Sequence, residues 1–177
     1  MVTNVTAFKE SKLIGRQSEK SQILKLMSNE LSQDFEVITV WGMGGLGKTT
    51  LVKDVYQSLE LNAMFDKRAC VTVKRPFNHT EILNSLAEQL SSQKQWNPDI
   101  LEGKKYLIVL DDLSTTKEWN DIQNHFPRMV AESRIIVTTR LNEIARHCSS
   151  KPTHIMELKI LEEKDALDLF TEKVFLA

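Results

Sequence analysis

The feature that most constrains the fold of this chain is a glycine-rich loop between two apolar segments, within residues 35–51. The first segment, FEVITVW, is short, bulky and rich in β-branched residues, and it predicts a buried strand. The loop after it matches the pattern G-x-x-x-x-G-K-[ST] at Gly42, Gly47, Lys48 and Thr49. Because a helical pattern follows, the loop has the strand-then-helix context that this phosphate-binding motif requires. A glycine-rich turn without a ligand stays open as the alternative.

The residue types in this loop suit a bound phosphate. The glycines within 42–47 allow backbone conformations in which successive N–H groups converge on phosphate oxygens. A helix predicted to begin at about Lys48 adds unpaired donors and the positive end of its dipole. We expect Lys48 to reach the β- and γ-phosphates of a nucleotide, and the Thr49 hydroxyl to coordinate Mg²⁺.

Composition and charge limit the class of protein. The chain has 177 residues, of which 41% are hydrophobic and 27% are charged, and this is typical of one globular domain. A formal net charge of −1 lacks the basic excess of a nucleic-acid-binding domain, so we expect no nucleic-acid partner. No apolar run approaches the roughly 20 residues that span a bilayer, and the first residues lack a signal-peptide core. We therefore expect a location in the cytoplasm, with the nucleus as a second location.

Strand-like and helix-like segments alternate along the chain. Residues 1–12 are polar and aperiodic, and we interpret them as a linker or tail ahead of one domain at 13–177. Strands are predicted at 35–41, 68–73, 106–110, 133–140 and 154–158. Helices are predicted at 18–31, 48–59, 78–90, 115–126, 141–147 and 162–175. The alternation indicates an α/β fold, a P-loop NTPase three-layer α/β/α sandwich with a mostly parallel five-stranded sheet.

Polar residues at the ends of the later strands are candidates for catalysis. Right-handed crossovers would bring these ends to the edge of the sheet that carries the glycine-rich loop. Asp111, expected to end the strand at 106–110, is a candidate Mg²⁺ ligand or a cap of the next helix. Asp112 is a candidate to orient or deprotonate the attacking water, or to support a metal ligand. Arg140 is a candidate contact for the γ-phosphate, with a surface arginine as the alternative.

Other polar residues narrow the choice of ligand. Guanine-binding P-loop proteins carry an N-K-x-D element, and the nearest fragment, TKEW at 116–119, lacks the aspartate. Adenine is therefore the expected base.

The four histidines show no metal-ligand spacing, and we predict that they are structural or exposed. Cys70 and Cys148 are expected to be buried thiols rather than a disulfide.

Four segments in order resemble the NB-ARC module of plant intracellular immune receptors, the NLR or NBS-LRR disease-resistance proteins. GMGGLGKTT at 42–50 resembles the P-loop of that family, and KKYLIVLDD at 104–112 resembles its kinase-2 motif. SRIIVTTR at 133–140 is similar to its next block, which ends in an arginine called sensor 1, and FDKRACVTV at 65–73 is similar to the segment between the first two. The resemblance extends from Ile14 to the C-terminus.

The resemblance implies an ATP/ADP switch that is closed with ADP at rest and oligomeric with ATP after a pathogen is sensed. It implies that Asp111 and Thr49 hold Mg²⁺, that Asp112 is the hydrolytic acid and that Arg140 is the sensor, with Lys48 as the third catalytic residue of a weak ATPase. It also implies that Ile14, Gly15 and Arg16 line the adenine side and that the phosphate contacts are Gly42, Met43, Gly44, Gly45, Leu46, Gly47, Lys48, Thr49 and Thr50.

The chain also departs from the family pattern. Cys70 replaces the usual tryptophan, 74–76 (Lys-Arg-Pro) replaces Ser-Gln, and 113–114 (Leu-Ser) replaces Val-Trp. We expect these departures to affect packing beside the site. The chain is expected to contain the nucleotide-binding part of the module without its helical and winged-helix parts, so other receptor domains and a second copy are the expected protein partners.

Two other functions are compatible with the motifs. An autonomous nucleoside phosphatase would use the same P-loop and acids, and turnover of several per second without a partner would favour it. A nucleic-acid-binding module is disfavoured by the near-neutral charge.

Overall fold

The computed structural model describes residues 13–29, 32–128, 130 and 132–175, so the predicted tail at 1–12 lies outside the described residues. The described part contains a five-stranded sheet and six α-helices. The strands are β1 Glu36–Trp41, β2 Lys67–Thr72, β3 Tyr106–Leu113, β4 Arg134–Thr139 and β5 Ile155–Glu157. The helices are α1 Gln17–Met27, α2 Lys48–Tyr56, α3 His79–Ser91, α4 Thr116–Gln123, α5 Asn142–Cys148 and α6 Glu163–Phe175.

All strand pairs of the sheet are parallel, in the order β2-β3-β4-β1-β5. The central strands are buried on both sides, and their continuous apolar runs are what a parallel sheet covered on two faces requires. This order places the carboxyl ends of β3, β4 and β1 next to one another. The loop after β1 therefore lies beside the residues that end β3 and β4.

Helices cover both faces of the sheet. Alternate strand residues contribute to two apolar cores, because successive side chains of a strand point to opposite faces. Ile38 and Ile136 pack with α1 and α2 on one face. Val37 and Ile135 pack with α3, α4 and α5 on the other face. The predicted fold class, a three-layer α/β/α sandwich with a parallel five-stranded sheet, is confirmed.

The helix predicted at 48–59 is shorter in the structure, because α2 ends at Tyr56 and Leu59 lies in a separate 3-10 turn with its side chain exposed. The last helix forms as predicted, yet none of its residues is buried, and Phe170 and Val174 are exposed.

The outer edge of the sheet at β2 is closed by a side chain. Gln89 of α3 accepts a hydrogen bond from the backbone N–H of Cys70 at 2.9 Å and donates one to the Cys70 carbonyl at 3.0 Å. The amide therefore satisfies both backbone groups of the middle of this edge strand, as a neighbouring strand would.

A buried charged cluster lies at the amino-terminal ends of the inner strands β1 and β4. Glu36 and Arg134 are each 1% exposed, with 3.8 Å between Oε2 and Nε. His154 lies against the same carboxylate, with Nε2 at 3.7 Å, and Lys151 donates to Oε1 at 2.5 Å. Burial would raise the pKa of Glu36, but the hydrogen bonds from Lys151 and Ser32 and the nearby positive charges outweigh it, so the net pKa is lowered.

The folded domain is expected to lose stability on mild acidification because of His154. Burial lowers the pKa of His154, against the attraction of Glu36 and with the repulsion of Lys151 and Arg134. Below the unfolded pKa, about 6.5, the unfolded chain takes up this proton more readily than the folded chain, so stability falls as pH drops towards the folded pKa. The free energy of unfolding, measured with urea at pH 7.5 and pH 5.5, should be lower at pH 5.5.

The matched variants for this test are His154→Gln and His147→Gln, since His147 is exposed. His154→Gln should weaken the dependence on pH within this interval, and His147→Gln should retain it. If the free energy of unfolding depended equally on pH in both variants, His154 would not be the cause of the loss of stability. Because the pKa of Glu36 is lowered, this residue makes the free energy of unfolding depend on pH only below about pH 4.5, outside this interval.

Candidate functional site

The glycine-rich loop leaves β1 and enters α2 through a residue that only glycine accommodates without strain. Gly47 directly precedes α2 and has φ of 88°, in the left-handed region. At the start of the loop, a Cβ on Gly42 would lie 2.6 Å from the carbonyl oxygen of Leu158. The sequence pattern of the loop is therefore explained by its backbone path, which directs the N-terminus of α2 towards the carboxyl edge of the sheet.

Lys48 closes this loop. Its Nζ donates to the carbonyl oxygens of Gly42 and Met43, each at 2.6 Å. Burial lowers the pKa of Lys48, the charge of Arg140 lowers it further, and the carboxylates of Asp112 and Asp111 oppose the shift. An ammonium has three N–H donors, so Lys48 holds the loop with two and retains one for an anion.

Asp111 is buried, and it is surrounded by threonine hydroxyl groups from the start of α2 and from the carboxyl ends of β2 and β4. The Thr49 hydroxyl of α2 donates to its carboxylate at 3.0 Å, and the Thr138 hydroxyl of β4 donates to Oδ1 at 2.6 Å. The Thr72 hydroxyl of β2 lies 3.3 Å from Oδ2. Thr49 and Asp111 thus bring a hydroxyl and a carboxylate together, and hard oxygen donors of this kind suit Mg²⁺.

Asp112 has an unusual backbone conformation. Its φ is 70°, in the left-handed region, and such a conformation costs a residue with a side chain roughly 1–3 kcal/mol. The prediction that the acids end the strand was wrong, because β3 continues to Leu113, which pairs with Thr139 after a shift in register. The shift accommodates Asp112 within the strand and leaves its side chain half-exposed.

Arg140 lies beside both Asp112 and the glycine-rich loop. Its Nε is 4.0 Å from Asp112 Oδ1, and the side chain is largely exposed. A Cβ built on Gly44 would lie 3.4 Å from the guanidinium. Three candidate catalytic residues from separate parts of the chain, Lys48, Asp112 and Arg140, are therefore brought to one place.

The segment before α1 also contacts the loop. Arg16 is buried, and its Nη2 donates to the carbonyl oxygens of Leu46 at 3.1 Å and Lys159 at 2.6 Å, while Nη1 pairs with Glu19 at 3.0 Å. Its guanidinium thus joins the loop to the segment after β5. Contact of Arg16 with a nucleotide stays a prediction.

Ile14 and Gly15 directly precede Arg16 in the chain. Ile14 is half-buried, and Gly15 has φ of 69°. A Cβ on Gly15 would lie 2.6 Å from the Cβ of Asp165 in α6, so glycine permits this helix to approach. Contact of Ile14 and Gly15 with a base stays a prediction.

Sequence reasoning missed three residues of the site. Thr72 and Thr138 contact Asp111, and Arg75 contacts the backbone of Asp112. The two threonines could have been found, since they lie at the ends of predicted strands whose carboxyl ends share one edge. Within the described residues, no group of three or more acidic, histidine or cysteine side chains could hold a metal ion, and no helix has the length and apolar character to cross a membrane.

Solved structures of low sequence identity share this fold. Drosophila ORC bound to DNA matches with a TM-score of 0.67 and 14% identity, over 94% of this chain and 47% of that chain. Cdc6p from Pyrobaculum aerophilum matches with a TM-score of 0.65 and 15% identity, over 92% of this chain and 50% of that chain. At these identities the likeness concerns the fold alone.

Sequence relatives and a family model identify the group of proteins. Disease resistance protein RPP13 of Arabidopsis thaliana is 28% identical over 183 residues, covering 94% of this chain and 22% of that protein. Disease resistance protein RGA2 of Solanum bulbocastanum is 28% identical over 187 residues, covering 94% of this chain and 18% of that protein. The chain thus spans less than a quarter of these relatives. The model of the NB-ARC domain matches residues 16–177, and the chain therefore belongs to the NB-ARC family.

Proposed function

We propose that this domain binds ADP and ATP with Mg²⁺ and acts as a nucleotide-dependent switch in a plant disease-resistance receptor, with slow ATP hydrolysis at most. The observation that carries the proposal is the convergence of Lys48, Thr49, Asp111, Asp112 and Arg140 at one edge of the sheet. The family of the chain supports the same conclusion.

The residues divide into those that hold the nucleotide and those that hold the metal. The N–H groups of the loop and the start of α2 would bind the phosphates, with the Lys48 ammonium directed at the β- and γ-phosphates. Thr49 and Asp111 would hold Mg²⁺, which supplies neutralisation of charge between those phosphates. Arg140 would contact the γ-phosphate and so distinguish ATP from ADP.

Hydrolysis would use Asp112. Its carboxylate orients a water molecule whose oxygen forms a bond to the γ-phosphorus, while the bond from that phosphorus to the β–γ bridging oxygen breaks. The bridging oxygen leaves on ADP with the bonding electrons, and the carboxylate takes the water proton and passes it to the released phosphate. Arg140, 4.0 Å from Asp112, would stabilise charge on the transferred group.

Adenine is the proposed base. The fragment nearest to a guanine-recognition element, TKEW, forms the first turn of α4, where the Thr115 side chain caps the helix. These four residues therefore begin a helix, and they do not form a loop that could contact a base. The segment at 14–16, next to Leu46 of the loop, is our candidate for the adenine side of the site.

The proposed partners are the other domains of the receptor and a second copy of the same protein. The proposed location is the cytoplasm, with the nucleus as a second location. An autonomous phosphatase is the competing function, because the same residues would serve it.

The substitution Asp112→Asn tests the proposed chemistry. It retains the shape of the side chain and removes its capacity to accept a proton, so single-turnover hydrolysis of radiolabelled ATP should slow by about 100-fold or more. The affinity for ADP, measured by fluorescence anisotropy, should change by less than about threefold, because the phosphate-binding loop is intact. Asp121→Asn, which removes a carboxylate from α4 outside the site, should leave both quantities unchanged.

Two results would contradict the proposal. Hydrolysis by Asp112→Asn at the rate of the unchanged protein would remove Asp112 from the reaction. Multiple turnover of several ATP per second by the isolated domain would favour the autonomous phosphatase, because a switch requires a long-lived bound nucleotide.

A further inference from the structure

One guanidinium connects the two loops that follow β2 and β3. Arg75 lies after β2, and its Nη2 donates to the carbonyl oxygen of Asp112 at 2.9 Å. The same nitrogen contacts the Ser114 hydroxyl and lies 3.3 Å from Glu118 Oε2. These contacts link residues that are 37 to 43 positions apart in the sequence, so Arg75 fixes the relative position of the two loops.

The acceptors of Arg75 are themselves held in place. Glu118 is buried, and its Oε2 accepts a hydrogen bond from the backbone N–H of Ser114 at 2.8 Å. Its backbone N–H donates to the Thr115 side chain at 3.1 Å, which fixes the start of α4. The Arg75 side chain is 41% exposed and Glu118 is 8% exposed, so one partner of this ion pair is held in the protein, whereas an ion pair with both side chains in solvent contributes little.

This arrangement fixes both peptide groups of Asp112. The backbone N–H of Asp112 donates to the Thr138 hydroxyl at 2.8 Å, and the backbone carbonyl accepts from Arg75. Rotation of either peptide group would move the carboxylate away from Arg140. Asp112 has φ of 70°, a costly conformation for a residue with a side chain, and loss of the hydrogen bond from Arg75 would remove one of the contacts that maintain it.

We propose that Arg75 is a positioning residue for the hydrolytic carboxylate, acting on Asp112 through its backbone carbonyl. The inference rests on the proposed function, because the part that Asp112 plays in hydrolysis is itself proposed there. Arg75 also contacts Ser114, which lies two positions after Asp112.

The test compares Arg75→Gln, Arg75→Lys and the control Lys74→Gln, which removes the same charge one residue away. Single-turnover ATP hydrolysis should be slowed about 10- to 100-fold by Arg75→Gln, since small displacements of a reacting group have effects of this size. The affinity for ADP should stay within about twofold. Arg75→Lys should recover part of the rate, because an ammonium can reach the carbonyl but lacks the fork of a guanidinium. Lys74→Gln should hydrolyse ATP at the unchanged rate.

A double substitution separates positioning from general destabilisation. If Arg75 acts only through Asp112, then Arg75→Gln should cause no further loss of rate in a protein that already carries Asp112→Asn. An equal loss in both backgrounds, or an unchanged rate in Arg75→Gln alone, would overturn the inference. The melting temperature of each variant shows that the compared proteins are folded.

Failure of the proposed function would look different. If the unchanged protein bound neither ADP nor ATP, the nucleotide site itself would be wrong. If it bound both but hydrolysed ATP no faster than Asp112→Asn, binding would stand, while the role of Asp112 and that of Arg75 would both be overturned.

Discussion

Replacing Lys48 with alanine is expected to abolish the stabilisation of this domain by nucleotides. A ligand at 100 times its Kd stabilises a folded protein by about 2.7 kcal/mol, which for a chain of this length raises the melting temperature by roughly 5–10 °C. We expect that shift for the unchanged protein with saturating ADP or ATP and Mg²⁺. Lys48→Ala should shift by less than about 2 °C, because it lacks the ammonium that holds the loop through Gly42 and Met43.

Differential scanning fluorimetry, with each variant measured against itself without nucleotide, provides the comparison. The control is Lys104→Ala, which removes the same charge from an exposed position before β3, at the opposite edge of the sheet. It should retain the full shift. A full shift in Lys48→Ala would place the nucleotide elsewhere.

Among the variants proposed for this domain, replacement of Arg134 is expected to cause the largest loss in the free energy of unfolding. The guanidinium is 1% exposed and donates to the carbonyl oxygens of Asp34 at 2.7 Å and Ser32 at 3.1 Å. Arg134→Met fills similar space but leaves the carbonyl oxygens of Asp34 and Ser32 without their donor, and it removes one of the positive charges beside the buried Glu36 carboxylate. Breaking a buried pair in this way costs about 3–5 kcal/mol, and urea denaturation at pH 7.5 should show a loss of this size.

The controls for Arg134 distinguish burial from charge. Arg146→Ala removes an arginine from the exposed surface of α5, and it should change stability by less than about 0.5 kcal/mol. In the double variant Arg134→Met with Glu36→Leu, part of the loss should be recovered, because the buried carboxylate that lost its arginine neighbour is no longer present. A loss below about 1 kcal/mol for Arg134→Met alone would mean that the cluster contributes little to folding.

The fold was predictable wherever burial decides the sequence. The run YLIVL and the centre of RIIVTT, Ile-Ile-Val, are apolar on both faces because helices cover both sides of the sheet, and these segments were recognised as strands. Prediction from the local sequence failed where contacts between distant residues determine the end of a strand. Asp111 and Asp112 have the composition of a strand end, yet β3 continues past them because the backbone pairing with β4 resumes at Leu113.

The candidate site was partly predictable for a similar reason. The loop and the two acids carry their chemistry in adjacent residues, so a short motif reveals them. Thr72 and Thr138 lie at the ends of predicted strands and could have been assigned to this edge. Arg75 lies in the loop after β2 and reaches Asp112 only through the pairing of β2 with β3, which a single sequence does not state. This contact of Arg75 has no local signal, because the Asp112 carbonyl that it reaches lies 37 positions away.

The side chain of Gln89 on the outer strand has a consequence for the behaviour of the domain in concentrated solution. An open strand edge is a template on which another polypeptide can extend the sheet, and this is a common route to aggregation. At Cys70 an incoming strand would first have to break the two hydrogen bonds that Gln89 makes. The folded domain thus carries its own barrier to growth by strand addition, built from one amide group.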